Sequence, residues 1–158
     1  MADEIDTRQA KRIYDTLCSA FKDMDWEFEE DEGFVIESGA MGEDSHIRIR
    51  AEVDADRMLV ILMSPIEFDV PENRRVDVAL AVSAINNSLA CGSFDYNFLS
   101  GEIIFRLTTS YRDSLISKSL FEYMILSSCK TVDEYNGLLL GVVEGDVTLR
   151  DLGEYING

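Results

Sequence analysis

Apolar residues at the start of the chain recur with helical spacing. Ile13, Leu17 and Phe21 lie four residues apart, so they fall on one face of a helix, and polar residues fill the opposite face. Asp6 or Thr7 can act as the N-cap of this segment. The pattern predicts an amphipathic first helix over residues 7–24.

The period then changes to two, which is typical of strands. Residues 47–53 alternate apolar and charged side chains, which predicts a strand with one buried and one exposed face. Residues 58–63 are continuously apolar, which predicts a strand covered on both faces. Strands are expected at residues 26–29, 34–36, 47–53 and 58–63, with an acidic turn at 29–33 and a loop at 39–45.

Residues 71–110 form the centre of the chain, and the pattern predicts a helix followed by a β-hairpin. Pro71 suits a first helical turn, Val78 and Val82 begin an apolar stripe, and Gly92 ends the helix. Two segments of period two follow, joined by a turn that contains Gly101. An isolated hairpin is marginal in water, so the helix should cover it. The aromatic residues expected in this core are Phe94, Tyr96, Phe98 and Phe105.

Helical patterns return after the hairpin. Asp113 or Ser114 can cap a third helix, and Thr131 with Glu134 resembles a capping box that opens a fourth. Residues 148–156 carry a short last helix. Strands grouped between helices predict an α+β fold, an antiparallel β-sheet with helices packed on it, in a single domain of residues 1–158.

Charge and composition narrow the class of function. The chain has 158 residues, 46% of them hydrophobic, and a formal net charge of -17. This acidity argues against binding to nucleic acid or to anionic membranes, since both require basic surfaces. We find no apolar run long enough to span a bilayer and no hydrophobic leader at the N-terminus, so we expect a cytoplasmic protein without a membrane role.

Motifs that carry chemistry are scarce. His46 is the single histidine, so no other residue could be the histidine of a Ser/His/Asp triad. A zinc motif of the HExxH type needs two histidines and is therefore absent from the sequence. Cys18, Cys91 and Cys129 are scattered without CxxC spacing, which is typical of reduced thiols. We therefore predict no catalytic residue, no metal site and no cofactor.

Four residues are candidates for a partner or dimer surface. Arg74 and Arg75 could bind an anionic ligand or a partner carboxylate, or they could simply keep the surface solvated. Leu99 and Ile104 are apolar, yet they lie opposite the core positions of the hairpin. Exposed apolar groups on that side would mark an interaction site.

Several features together resemble the YbjN-type family, described as bacterial sensory-transduction regulators. They are the opening amphipathic helix with Trp26-Glu27-Phe28, the Val70-Pro71-Glu72-Asn73-Arg74-Arg75 stretch, Ile85-Asn86-Asn87, Gly92-Ser93-Phe94, Gly101-Glu102-Ile103 and the closing helix. The resemblance covers nearly the full length. It implies an antiparallel sheet packed on helices, similar in fold to type III secretion chaperones, a tendency to dimerise, and a role in binding or regulation.

The leading hypothesis is therefore a non-enzymatic module, chaperone-like or regulatory, that binds a polypeptide partner through an apolar sheet face or edge and forms a homodimer. An alternative is a small-ligand sensor or carboxylate-based enzyme that uses acids such as Glu52 or Glu102 in a pocket. A structural subunit of a larger assembly is a third possibility.

Overall fold

The computed structural model describes the backbone of residues 2–158 and the side chains of residues 7–158. The order of helices and strands is the one expected: helix, four strands, helix, two strands, helices. The elements are α1 (Ala2–Asp23), β1 (Phe28–Asp31), β2 (Val35–Met41), β3 (His46–Asp54), β4 (Leu59–Pro65), a 3-10 turn (Glu72–Arg74), α2 (Arg75–Ser88), β5 (Ser93–Tyr96), β6 (Ile103–Ser110), α3 (Lys118–Glu144) and α4 (Leu149–Asn157).

The six strands form one antiparallel sheet in the order β1-β2-β3-β4-β6-β5. Each pair of neighbours is antiparallel, so the sheet is a meander whose last hairpin folds back beside β4. This confirms the α+β class and the antiparallel sheet.

One face of the sheet is buried under the helices. On β3, Ile47, Ile49, Ala51 and Val53 are buried and belong to the same core as the apolar stripe of α1, while the residues between them face the other side. The inward-facing side chains of the strands, at every second position, pack against the apolar stripes of the helices in this single layer.

In the part of the chain that the structure describes, the buried apolar side chains of the helices all belong to this core, and we call the other face of the sheet the open face. The central strand β4 shows the consequence, because Val60 and Leu62 join the core whereas Leu59 and Met63 are only half-buried. The expectation that residues 58–63 are covered on both faces therefore holds for Val60 to Leu62, which are all buried, and fails at Leu59 and Met63. Ile61 lies opposite Glu52 on the open face and is only 8% exposed.

The C-terminal helices differ from the expected ones. Residues 118–144 form one helix, and the proposed break at Thr131 is absent, because a buried stripe from Phe121 to Val142 continues through that position. The N-cap is Ser117, whose side chain accepts a hydrogen bond from the Leu120 amide, and neither Asp113 nor Ser114. A capping box does occur later, between Thr148 and Asp151 at the start of α4.

Several boundaries are also corrected. The helix α1 begins at Ala2, so Asp6 and Thr7 lie inside it, since neither glycine nor proline interrupts residues 2–23. Strand β1 begins at Phe28, two residues after Trp26, and it includes part of the segment expected to be an acidic turn. Three residues of the expected loop at 39–45, Gly39 to Met41, belong to β2, because β3 is long enough to pair with β2 as far as Met41.

At the β5 edge of the sheet, a side chain supplies hydrogen bonds to the backbone. At β5, the side chain of Asn86 on α2 accepts a hydrogen bond from the Phe94 amide (2.7 Å) and donates one to the Phe94 carbonyl oxygen (3.0 Å). An asparagine amide thus takes the place that another strand would occupy. Phe94 itself is buried, so an unpaired backbone there would be costly.

We expect Asn86→Ala to lower the free energy of unfolding by about 2 kcal/mol more than Asn87→Ala, since the substitution leaves the Phe94 amide and carbonyl groups unpaired. Asn87 lies beside Asn86 on α2 and makes no side-chain hydrogen bond in the described part of the chain, so it controls for helix propensity. Urea unfolding measures the difference, and equal stability of the two variants would contradict the edge role of Asn86.

Candidate functional site: the hairpin tip and the open face

The turn at residues 97–101 joins β5 to β6 and is held from within by Asn97. The Asn97 amide donates to the Glu102 carbonyl oxygen (2.9 Å), and the Gly101 amide donates to the Asn97 carbonyl oxygen (2.7 Å). The side-chain oxygen of Asn97 accepts from the amides of Leu99 (3.0 Å) and Ser100 (3.2 Å). An asparagine side chain in this role stabilises a turn through bonds that are local in sequence.

Arg75 at the start of α2 holds the same turn from outside. Its guanidinium donates to the carbonyl oxygens of Val70 (3.2 Å), Leu99 (2.6 Å) and Ser100 (3.3 Å). The Tyr96 hydroxyl in turn donates to the Arg75 carbonyl oxygen (3.2 Å). Burial raises the pKa of Tyr96, and the positive charge of Arg75 opposes that rise. The fork of donors on an arginine suits several carbonyl groups at once.

Because of these bonds, two apolar side chains are held in solvent. Leu99 is 86% exposed and Phe98 is 51% exposed. We call these two residues the hairpin tip. The expectation that Phe98 lies in the core with Phe94 is wrong, because β5 ends at Tyr96 and Phe98 belongs to the turn. Asn97 followed by Gly101 is the signal that could have located it.

Acidic side chains border the hairpin tip. The Val70 amide donates to the Gly101 carbonyl oxygen (3.1 Å), so the segment before α2 runs beside the turn. A Cβ at Gly101 would collide with the Val70 carbonyl oxygen, and the φ of +81° also requires glycine. The exposed acids of this segment and of the turn's far end are Glu67, Asp69, Glu72 and Glu102.

Ile104 lies on the open face, as the alternation of the hairpin predicts. It pairs with Pro65 on β4 and Asp95 on β5, and it is half-buried. A shallow cavity of about 330 Å³ lies over this part of the sheet. The side chains that line it include Glu37, Arg48, Arg50, Met63, Pro65, Glu102 and Ile104. Glu102 therefore connects this cavity to the turn that carries the hairpin tip.

Arg74 lies apart from the other candidates. Its guanidinium donates to the Val142 carbonyl oxygen (2.6 Å) and pairs with Asp77 (3.3 Å), so it stabilises the C-terminal end of α3. The structure thus brings Arg75 and Leu99 together, connects Ile104 to them through Glu102, and assigns Arg74 to helix packing. Glu52, proposed with Glu102 as a pocket acid, lies elsewhere on the open face, opposite Val35 and Ile61.

Residues that could hold a metal are not grouped in the part of the chain that the structure describes. No three side chains of His, Cys, Asp or Glu there are arranged to bind an ion. His46 is exposed at the start of β3. Among the described residues, no helix has both the length and the apolar composition that a bilayer span requires.

These features define a class: a six-stranded antiparallel sheet with helices on one face and an apolar turn at its far hairpin. A family model described as "YbjN: Putative bacterial sensory transduction regulator" matches residues 14–137. The chain therefore belongs to the YbjN family, as the sequence resemblance indicated.

A solved structure agrees with this assignment at the level of fold. It is the crystal structure of YbjN from E. coli, described there as "a putative transcription regulator". The TM-score is 0.60 and the sequences are 14% identical, with 83% of this chain and 92% of that chain covered. A comparison with curated proteins finds no significant match.

We expect Arg75→Lys to lower the free energy of unfolding by about 1–2 kcal/mol, because a single ammonium group cannot bond three carbonyl oxygens at once. Hydrogen exchange should also become faster at the amides of residues 99–101. Arg112→Lys provides the control, since Arg112 is exposed and makes no side-chain bond among the described residues. Unchanged exchange in the turn of Arg75→Lys would show that Arg75 does not hold it.

Proposed function

We propose that this protein acts by binding another polypeptide rather than by catalysis, as a chaperone-like or regulatory module. The observation that carries the proposal is the hairpin tip, where hydrogen bonds from Asn97 and Arg75 hold Leu99 and Phe98 in solvent. A turn fixed in advance loses little conformational entropy on binding, so apolar groups on it make good anchors.

The surroundings of the hairpin tip support a partner with a basic rim. The acids that border it, Glu67, Asp69, Glu72 and Glu102, are in no ion pair among the described residues. Complementary charges accelerate association and select partners. Ile104 and the adjoining cavity on the open face extend the same surface along the sheet.

The family description supports a regulatory role for this binding. The E. coli protein is described as "a putative transcription regulator". For this chain, a net charge of -17 opposes contact with DNA phosphates. We propose that any effect on signalling or transcription is exerted through a protein partner in the cytoplasm. We also propose that the chain resembles type III secretion chaperones in fold and in this mode of action.

Affinity capture from lysate of the source bacterium tests the hairpin tip. Leu99→Asp should remove at least one protein that the wild type enriches, because it places a charge at the centre of the apolar contact. Leu115→Asp is the matched control, since Leu115 is also an exposed leucine in a loop, at 61% exposure. Recovery of the same proteins with all three chains, or of none with any, would contradict the proposal.

We also propose that the protein forms a homodimer. Support comes from α3, where Leu120, Tyr123 and Leu126 are exposed on the outward side of the helix. Size-exclusion chromatography with light scattering should give twice the chain mass of 17.8 kDa. Leu126→Glu should shift the mass towards that of one chain, and a wild-type mass of one chain at all concentrations would refute the dimer.

A further inference from the structure

The outer edge of β1 differs from the opposite edge of the sheet. At β5, the Asn86 side chain makes hydrogen bonds to both the amide and the carbonyl group of Phe94. At β1, the pairing with β2 supplies the only backbone hydrogen bonds of residues 28–31 in the described part of the chain. A free edge of this kind can accept one more strand.

The charge of the β1 edge determines what can pair with it. Five of the six residues from 27 to 32 are acidic, and none of them is in an ion pair within the residues that the structure describes. Glu29 lies directly across from Glu37 of β2, and like charges in that position destabilise a sheet. A second copy of β1 would add further acids, so a copy of this chain is a poor occupant of this edge.

An open hollow lies beside the edge. It has a volume of about 600 Å³ and is lined by Trp26, Glu27, Phe28, Glu29 and Glu37. Glu29 and Glu37 lie opposite each other on the open face, where Glu37 is already paired with Arg50 (3.0 Å), so Glu27 and Glu29 are the carboxylates left without an ion pair among the described residues. Trp26 and Phe28 are each half-buried and pack near Phe21 of α1, at ring-centroid distances of 6.3 and 5.7 Å, so their positions are set by the core. The free carboxylates of Glu27 and Glu29 attract lysine and arginine side chains, and the half-buried Trp26 beside them leaves part of its ring in solvent.

We infer that the β1 edge is a docking site for an extended, lysine- or arginine-rich polypeptide segment, which adds as a seventh strand and places one basic side chain in the hollow beside Trp26. The inference rests on the proposed function in taking a polypeptide as partner. It uses a surface different from the hairpin tip, so the two can be tested separately.

The probe is a ten-residue peptide that alternates lysine with threonine. Trp26 is the one tryptophan of the chain, so its fluorescence reports directly on the hollow without a label. We expect saturable binding to the wild type with a change in Trp26 emission. The same peptide with N-methyl groups on alternate amides should bind at least tenfold more weakly, because it retains its charge and loses backbone hydrogen bonds.

Two double variants separate the edge from general electrostatics. Glu27→Lys/Glu29→Lys should weaken binding of the probe at least tenfold. Glu43→Lys/Glu144→Lys changes the net charge by the same amount at exposed positions away from β1 and should bind like the wild type. Leu99→Asp should also bind the peptide normally, so a failure of the hairpin tip as a partner surface would not affect this result.

Three results would overturn the inference: equal binding of the methylated and unmethylated peptides, equal loss in both charge variants, or no change in Trp26 emission at saturation. The comparison of the two peptides uses the wild-type chain, so it remains decisive if a charge variant fails to fold.

Discussion

The structure depends on a sheet that buries one face and leaves the other open. Buried apolar residues from five of the strands and from all four helices meet in one layer, and this layer is where most of the apolar area leaves water. Each helix that covers this layer packs its apolar face against it. The open face has no such cover, so its strands carry charges between half-buried apolar groups.

Backbone polarity explains how the ends of the sheet are arranged. A strand edge presents amide and carbonyl groups that must find partners or water. Asn86 satisfies the β5 edge at Phe94, where burial makes an unpaired group costly. The β1 edge stays in contact with solvent, and its acidic side chains disfavour pairing with a second copy of the same strand. The same requirement applies at the turn of residues 97–101. Arg75 donates hydrogen bonds to carbonyl groups there and thereby holds Leu99 outward.

Functional interpretation follows from these constraints. The proposal of polypeptide binding rests on the fixed apolar groups in solvent at the hairpin tip and on the acidic edge of β1. The membership of the YbjN family is consistent with a regulatory role of this kind. Charge then determines which partners are compatible, since an acidic surface favours basic ones.

The sequence alone determined the order of the elements, the α+β class and the buried residues of β3, because period-two and helical spacing are local properties that packing rarely overrides when they are strong. It also indicated that Ile104 faces away from the core. Only the tertiary structure decided that residues 118–144 form one helix and that Phe98 lies outside the core. It also decided that Arg74 bonds the end of α3 whereas Arg75 bonds the turn at residues 97–101. Those outcomes depend on contacts between distant residues: Arg75 with Leu99, Arg74 with Val142, and the α3 stripe with the sheet. Spacing along the chain carries no information about which carbonyl group an arginine will reach.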